Sequence, residues 1–299
     1  GSMALQQVKV PSKKIGNLLQ TKDHILWVAT RDSGLVSLNK EGQILTHSFS
    51  NMLYPNMLPR NFTLSIFSDN QDNIWVGTSG GGFSKLSYEF GFFKTIVSQP
   101  LIKNSLPDNM VLSINGNGQQ LFIGTQLQGL CVYDANGKMK VYNTHTKGLL
   151  NNAIYSIAEI SDGLLFVATP SGLLQVNLFQ QVCSSLADKN VPESQKGDCI
   201  LKFKHTDSIL YSGNNGAVLY DYKRKQWLPL FNPSTTNFRA MELNFAIEDT
   251  GHTVWLCSKN MGFLKYDYQT GVIHAFAEVS KLTRSVRHVA IQGNTLWLA

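Results

Sequence analysis

The 299-residue chain lacks the long apolar runs and the motifs by which membrane helices and several enzyme classes are usually identified. No window contains the roughly 18 consecutive apolar residues that a membrane-spanning helix requires. Gly-x-Ser-x-Gly and His-Glu-x-x-His are both absent, as is a phosphate-binding glycine loop between a strand and a helix. These absences argue against nucleophile-elbow hydrolases, zincin proteases and P-loop nucleotide binding. We therefore predict no catalytic residue and no cofactor.

Cysteine is scarce, and its placement is not that of a metal site. Cys131, Cys183, Cys199 and Cys257 form no Cys-x-x-Cys pair, and no histidine cluster accompanies them. A structural zinc site needs closely spaced ligands of this kind. Cys131 and Cys257 fall inside apolar runs, where a free cysteine behaves as a small hydrophobic residue. We predict four free thiols and no metal ligand.

Charged residues make up only 15% of the chain, and the net charge of +6 is dispersed along it. The basic residues form only short local groups, of which Lys281, Arg284 and Arg287 are one. A nucleic-acid groove would require a basic stripe or patch. We therefore predict that no nucleic acid binds.

An aromatic residue recurs with a regular period. The intervals between successive copies are 48, 47, 44, 45, 44 and 42 residues. A small residue follows two places later in every copy, and a glycine follows five to seven places later in the six copies long enough to show it. These aromatic anchors are Trp27, Trp75, Phe122, Phe166, Tyr211, Trp255 and Trp297.

Each period contains four short strand-like runs, and no convincing helix is predicted between them. The second copy has runs at Leu64–Phe67, Ile74–Thr78, Phe83–Ser87 and Phe92–Val97. A period of about 40–50 residues with four antiparallel strands is typical of a β-propeller blade. We predict an all-β propeller with six complete blades and a partial seventh.

The two ends of the chain suggest how this propeller is bounded. Gly1-Ser2-Met3 is typical of a cloning scar. We interpret residues 4–299 as a single β-propeller domain, truncated within its seventh blade. Gln6–Val10 could supply one strand to that blade.

The anchor motif and its lead-in resemble the two-component regulator propeller repeat. Trp75-Val76-Gly77-Thr78 is similar to the Trp-Ile-Gly-Thr core of that repeat, and 104–109 (Asn-Ser-Leu-Pro-Asp-Asn) is similar to its lead-in. Residues 147–152 precede the fourth copy in the same way. The resemblance covers essentially all of residues 11–299. It is weakest in the fifth copy, where Tyr211-Ser212-Gly213 replaces the core motif.

This resemblance implies a function in signalling. Such repeats form the periplasmic sensor region of hybrid two-component systems of gut Bacteroidetes, which detect oligosaccharides and control polysaccharide-utilisation genes. It implies a non-enzymatic fragment of an inner-membrane protein that is a histidine kinase at full length. The implied partners are an oligosaccharide, a second propeller and a β-sandwich of the same chain, and a second copy in a homodimer. The alternatives are a propeller lyase or glycosidase, or a protein–protein scaffold.

Topology indicates where a ligand would bind. In a four-stranded antiparallel blade, the blade-to-blade connections and the loops between the second and third strands emerge on one face. Long loops on a rigid scaffold are common recognition sites. Our candidate ligand-binding residues on this face are Arg31, Asp32, Arg60, Asn61, Asp108, Asn109, Asn152, Lys259, Arg284 and Arg287.

Two further expectations concern charge. Arg284, Arg287 and Lys281 lead into the seventh copy, and ring closure would bring them near Arg31, where they could bind an acidic sugar. Aspartates in or beside the predicted turns, such as Asp69 and Asp249, are expected to bond their own backbone rather than perform acid–base chemistry.

Overall fold

The computed structural model describes residues 5–51, 53–54, 56–87, 92–99, 101–102, 104–213, 215–230, 241–283 and 285–299. Within these ranges the chain forms six four-stranded antiparallel sheets and one two-stranded sheet. The prediction of six complete blades and a partial seventh is thus confirmed. No helix of the described residues is long and apolar enough to cross a membrane.

The first three blades occupy the N-terminal half. Blade 1 comprises β1 (Ile15–Gln20), β2 (Leu26–Thr30), β3 (Leu35–Leu38) and β4 (Ile44–Ser48). Blade 2 comprises β5 (Thr63–Ser68), β6 (Ile74–Thr78), β7 (Phe83–Ser87) and β8 (Phe92–Ile96). Blade 3 comprises β9 (Val111–Gly116), β10 (Gln120–Thr125), β11 (Leu130–Asp134) and β12 (Met139–Tyr142).

The remaining blades follow in the same order. Blade 4 comprises β13 (Ser156–Ser161), β14 (Leu164–Thr169), β15 (Gly172–Asn177) and β16 (Val182–Ser185). Blade 5 comprises β17 (Cys199–Lys202), β18 (Ser208–Gly213), β19 (Gly216–Asp221) and β20 (Gln226–Pro229). Blade 6 comprises β21 (Leu243–Glu248), β22 (Thr253–Ser258), β23 (Phe263–Asp267) and β24 (Val272–Ala275). The seventh sheet comprises β25 (Val289–Gln292) and β26 (Thr295–Leu298).

Two short helical segments lie in the described parts of the connections between blades. A 3-10 turn spans Pro192–Ser194, and α1 spans Ala277–Leu282. The expectation of no helix was wrong at these two places. Six residues are too few to show the helical spacing of apolar positions, so α1 leaves no clear pattern in the sequence.

The first strand of every sheet lies on the inside of a closed ring. Each inner strand contacts the inner strand of the next blade, and β25 contacts both β21 and β1. Asparagine side chains link several of these strands directly. The Nδ2 group of Asn115 donates to the carbonyl oxygen of Ile157 at 2.8 Å, and that of Asn244 donates to Val286 at 2.7 Å. Asn17 donates in the same way to Leu64.

The apolar core is divided into clusters between neighbouring blades. Trp75 and Phe83 of blade 2 pack against Leu121 and Ile123 of blade 3. Ile74, on the opposite face of blade 2, packs against blade 1 instead. Successive residues of a strand point to opposite faces, and both faces of each blade are covered. This arrangement explains why the runs are apolar throughout rather than alternating.

Five of the seven aromatic anchors pack in the same way, and the other two differ from them. Five anchors face the next blade and are buried, and these are Trp27, Trp75, Phe122, Phe166 and Trp255. Tyr211 is also buried but packs back against blade 4, while Leu210 faces blade 6. Trp297 is only partly buried. In Ile209-Leu210-Tyr211 both faces carry apolar residues, so an aromatic residue alone does not identify the forward face.

The N-terminal segment does not supply a strand to the seventh sheet. Residues 5–10 form no strand, and β26 pairs with β25 alone among the described residues. Val8 and Val10 instead pack their side chains with Trp297 against blade 1. The expected pairing of Gln6–Val10 was therefore wrong, and packing replaces backbone pairing at this place.

Candidate functional site

The propeller has two faces with different loops. We call the one that carries the blade-to-blade connections and the loops between second and third strands the connection face. Backbone hydrogen bonds join these two kinds of loop. For example, the amide of Lys259 donates to the carbonyl of Glu242 at 2.8 Å. We call the opposite one, with the tight turns, the turn face. The candidate residues that the structure describes lie in the loops of the connection face.

Three of the candidate asparagines hold the loops of the connection face together. The side-chain oxygen of Asn109 accepts a 2.6 Å hydrogen bond from the amide of Ser98, at the start of the same connection. Its backbone carbonyl accepts from the amide of Gly82, in the adjacent glycine loop, at 2.9 Å. Asn61 and Asn152 make equivalent bonds. These three side-chain oxygens are thus already engaged in hydrogen bonds to the backbone.

Asp108 and Lys259 are also engaged by neighbouring groups. The Asp108 carboxylate accepts from the amides of Met110 at 3.0 Å and Leu127 at 2.8 Å. The Lys259 ammonium lies 2.9 Å from Asp198 and 3.7 Å from Glu242, linking blades 5 and 6. A ligand would have to compete with these partners.

Arg31 and Arg287 approach each other where blade 1 meets the seventh sheet. Both side chains are exposed. Burial of part of Arg31 lowers its pKa, and the nearby charge of Arg287 lowers it further. This effect of one charge on the other supports the expected convergence of the two arginines, and their role as a ligand site stays a prediction. Arg284 lies outside the described residues. Arg60 is exposed on the same face, at the connection between blades 1 and 2.

Asp32 lies beside this arginine pair but is held by hydroxyl groups. Ser12 Oγ donates to its carboxylate at 2.5 Å, and Ser33 Oγ donates at 3.0 Å. The bond from Ser12 is the main reason that the pKa of Asp32 is lowered, with the charge of Lys14 adding to it. The Asp32 carboxylate is thus engaged by two neighbouring hydroxyl groups.

The turn aspartates have the structural role that their positions predict. Asp69 Oδ1 accepts from the amides of Gln71 and Asn73 at 3.0 Å each, and Oδ2 accepts from Trp75 Nε1 at 2.9 Å. Burial raises the pKa of Asp69, but these hydrogen bonds outweigh it and the net shift is downward. Asp249 accepts from Trp255 Nε1 in the same way, at 2.9 Å.

His288 joins the seventh sheet to the first blade. Its Nδ1 atom accepts a 3.3 Å bond from the amide of Leu18, and its ring stacks on Phe245 with 3.5 Å between centroids. The side chain is 8% exposed, and burial lowers its pKa to about 3. His288 is therefore a neutral core residue that closes the ring.

The four cysteines are free and buried, as predicted. Burial raises the pKa of Cys183 to about 11 and that of Cys199 to about 12. A thiol with so high a pKa is a poor nucleophile, because the thiolate is the reactive form. Among the described residues, no group of histidine, cysteine and acidic side chains is arranged to hold a metal ion.

A cavity of about 300 Å³ lies between blades 2 and 3, lined by turns of the turn face. Trp75, Lys85 and Lys94 line it from blade 2, while Gln119 and Tyr133 line it from blade 3. The sequence did not predict this site, because its walls come from two different repeats. The available signal was the pair of lysines at facing positions of β7 and β8.

Comparison with known proteins supports the resemblance of the repeats. Residues 57–80, from the lead-in of blade 2 to its glycine loop, match the family described as two component regulator propeller. The match includes a Leu58-Pro59-Arg60-Asn61 lead-in that our sequence reading had not recognised. No curated protein matches the chain.

Solved structures share the fold over nearly the whole chain. One is the extracellular domain of the putative hybrid two component system BT3049 from B. thetaiotaomicron, with a TM-score of 0.82 and 20% identity. The similarity covers 98% of this chain and 40% of that one. Another is the extracellular domain of the putative hybrid two component system BT4673, with a TM-score of 0.76, 17% identity, and coverage of 95% and 39%. This chain thus spans about 40% of the length of these neighbours, and at such identities the likeness shows the fold.

Proposed function

We propose that this chain is the ligand-sensing propeller of a hybrid two-component system. The observation that carries the proposal is the match of residues 57–80 to the regulator propeller family. The shared fold with extracellular domains of putative hybrid two-component systems supports it. On this proposal the module detects oligosaccharides and controls polysaccharide-utilisation genes through a histidine kinase in the same protein.

The proposed location is the periplasmic part of an inner-membrane protein. The proposed neighbours are a second propeller and a β-sandwich of the same chain, and a second copy in a homodimer. A ring of blades tied by the Asn115 and Asn244 bonds supplies a rigid scaffold, and a sensor needs such a scaffold to pass a binding event on.

The use of the acidic residues supports binding without catalysis. Glycoside hydrolysis requires a general acid and a facing carboxylate. Asp69 and Asp249 are instead bonded to tryptophan side chains, and Asp108 is bonded to loop amides. These carboxylates stabilise the fold, and we assign none of them to acid–base chemistry.

The arginine pair is the part of the connection face best suited to a ligand. Two exposed guanidinium groups whose charges repel would be stabilised by an anion between them, such as the carboxylate or sulfate group of an acidic sugar. The asparagines of the same face already have partners. We therefore assign first contact on this face to Arg31 and Arg287.

Calorimetric titration with acidic and neutral oligosaccharides tests this assignment. Arg31→Ala and Arg287→Ala should each weaken the binding of an acidic oligosaccharide by ~1–3 kcal/mol, as expected for charge-assisted hydrogen bonds. Added salt should weaken it as well. Arg224→Ala is the control, because it removes an exposed arginine from the β19–β20 turn on the turn face and should leave the affinity unchanged. Equal affinity of all four proteins would overturn the assignment.

A further inference from the structure

We infer that the cavity between blades 2 and 3 is a second ligand site, which binds the anionic group of one acidic sugar unit through Lys85 and Lys94. The inference rests on the proposed function only for the choice of a sugar as ligand. The cavity lies among the turn-face loops, whereas the arginine pair lies on the connection face. Its volume of about 300 Å³ is at the small end of the range for ligand pockets.

The two lysines carry the argument for an anion. Lys85 of β7 lies directly opposite Lys94 of β8 in the antiparallel register. Like charges at facing positions of a sheet destabilise it. Among the described residues, neither ammonium group forms an ion pair with a carboxylate. An anion bound between them would remove the repulsion and supply the missing partner.

The ring of Trp75 lies under the Lys85 ammonium group, and neighbouring residues hold this ring in place. Lys85 Nζ lies 5.5 Å from the centroid of the Trp75 ring, which is within the range of a cation–π contact. Trp75 is in turn fixed by its bond to Asp69 and by packing on Phe83 at 5.9 Å between centroids. The Lys85 ammonium therefore lies over a ring that is itself held in place.

Two carboxylates, those of Asp69 and Asp134, also line the cavity, and each accepts hydrogen bonds within its own turn. Both oxygens of Asp69 accept hydrogen bonds within its own turn and from Trp75. Asp134 Oδ1 accepts from the amides of Asn136 and Lys138 at 2.9 Å each. These bonds hold Asp69 and Asp134 in their own turns, and neither carboxylate forms an ion pair with Lys85 or Lys94.

The rest of the lining suits a ligand rich in hydroxyl groups. The amide side chains of Gln71, Gln119 and Gln120 and the phenol of Tyr133 line the same cavity. Amide groups offer both donors and acceptors, which a sugar ring can use. An acidic sugar unit combines the charge that the lysines need with the hydroxyls that these groups can bind.

Blade 6 contains a natural control for this arrangement. Trp255 is bonded to Asp249, and Lys265 Nζ lies 5.7 Å from its ring centroid. The residue opposite Lys265 is His274 rather than a second lysine. The sheet next to blade 6 has only β25 and β26 among the described residues. The side of the cavity that blade 3 forms next to blade 2 therefore has no equivalent next to blade 6.

The test follows the indole N–H resonance of Trp75 by NMR during titration. The probes are glucuronate, a glucuronate-containing disaccharide and a neutral disaccharide of the same size. We expect both acidic probes to shift the Trp75 signal and the neutral one to leave it in place. Lys85→Met and Lys94→Met should each weaken the acidic disaccharide at least tenfold, because methionine keeps the apolar stem and removes the charge. The control Lys265→Met should keep the affinity of the parent.

The outcomes separate this site from the proposed function. Binding of the acidic disaccharide that is unchanged in both Lys85→Met and Lys94→Met would overturn the cavity site and leave oligosaccharide sensing standing. A shift of Trp75 with glucuronate that is lost in these variants, without binding of any oligosaccharide, would support the cavity and contradict the sensing proposal. A shift in the parent that Lys265→Met abolishes equally would overturn the assignment to Lys85 and Lys94.

Discussion

Blade 2 and the seventh sheet share one local pattern but bury their tryptophans to different extents. Trp75 is 8% exposed, donates to the Asp69 carboxylate and packs on Phe83 of the third strand. Trp297 is only partly buried and donates to the Gln292 amide at 2.8 Å. The repeat motif thus produces the strand and the turn bond in both places. The third strand of blade 2 covers its anchor through Phe83, whereas the seventh sheet has no third strand among the described residues.

The largest expected difference comes from removing each tryptophan. Trp75→Ala should lower the free energy of unfolding by ~3–5 kcal/mol, because a large buried side chain is replaced by a cavity. Trp297→Ala should cost less, about 1–2 kcal/mol, because less apolar area is removed from the core. Urea unfolding of both variants and the parent measures the two losses. Equal losses would contradict the difference in anchor burial.

Removing the partner of each indole is expected to have a smaller effect. Asp69→Asn should destabilise the protein by about 2–3 kcal/mol, because a charged acceptor of several hydrogen bonds becomes a neutral amide. Gln292→Leu in the seventh sheet should cost about 1 kcal/mol or less, since its bonds are neutral, one of them is exposed and the other is only partly buried. The same unfolding experiment applies. A larger loss of stability in Gln292→Leu than in Asp69→Asn would show that the bond to the indole contributes more to stability in the seventh sheet than in blade 2.

The join between the seventh sheet and blade 1 should respond to pH more strongly than the join between blades 1 and 2, because only the former contains a buried histidine among the described residues. His288 has a pKa of about 3 in the folded protein and about 6.5 when unfolded. The unfolded chain therefore binds the extra proton between these values, and stability falls as the pH drops below 6.5. At the join between blades 1 and 2, the Asn17 side chain that bonds to Leu64 does not titrate, and the Lys22–Asp72 ion pair is exposed.

His288→Gln tests this pH effect, because glutamine retains an acceptor for the Leu18 amide and does not titrate. From pH 7.5 to pH 5 the parent should lose up to about 2 kcal/mol more stability than the variant, at about 1.4 kcal/mol per pH unit below 6.5. Urea unfolding at a series of pH values gives both curves. Parallel curves would show that His288 is not held neutral by burial.

The sequence predicted local structure better than it predicted the use of each side chain. Ile74–Thr78 and Phe83–Ser87 have the bounds expected from their apolar patterns, because strand periodicity and glycine turns are local signals. The repeat pattern did not reveal that Tyr211 packs against blade 4, since apolar residues occupy both faces of its strand. Asn109 was selected as a ligand contact, and its bonds to Ser98 and Gly82 depend on loop geometry that no spacing reveals.

The cavity at Lys85 and Lys94 shows a second limit of sequence reasoning. Each half of its lining is an ordinary polar stretch within its own repeat. Only the packing of blade 2 against blade 3 makes it a pocket, and that packing is a property of the ring rather than of one motif. Charged residues at facing positions of neighbouring strands are therefore worth testing in other propellers.

The central claim is that this propeller binds an oligosaccharide without catalysing a reaction on it, and one measurement tests the claim most directly. The protein is dialysed against a mixed pool of acidic and neutral oligosaccharides, and both compartments are analysed by mass spectrometry. The account predicts that at least one oligosaccharide is enriched on the protein side and is recovered at its original mass. Equal distribution of every oligosaccharide, or the appearance of shorter or eliminated products, would contradict it.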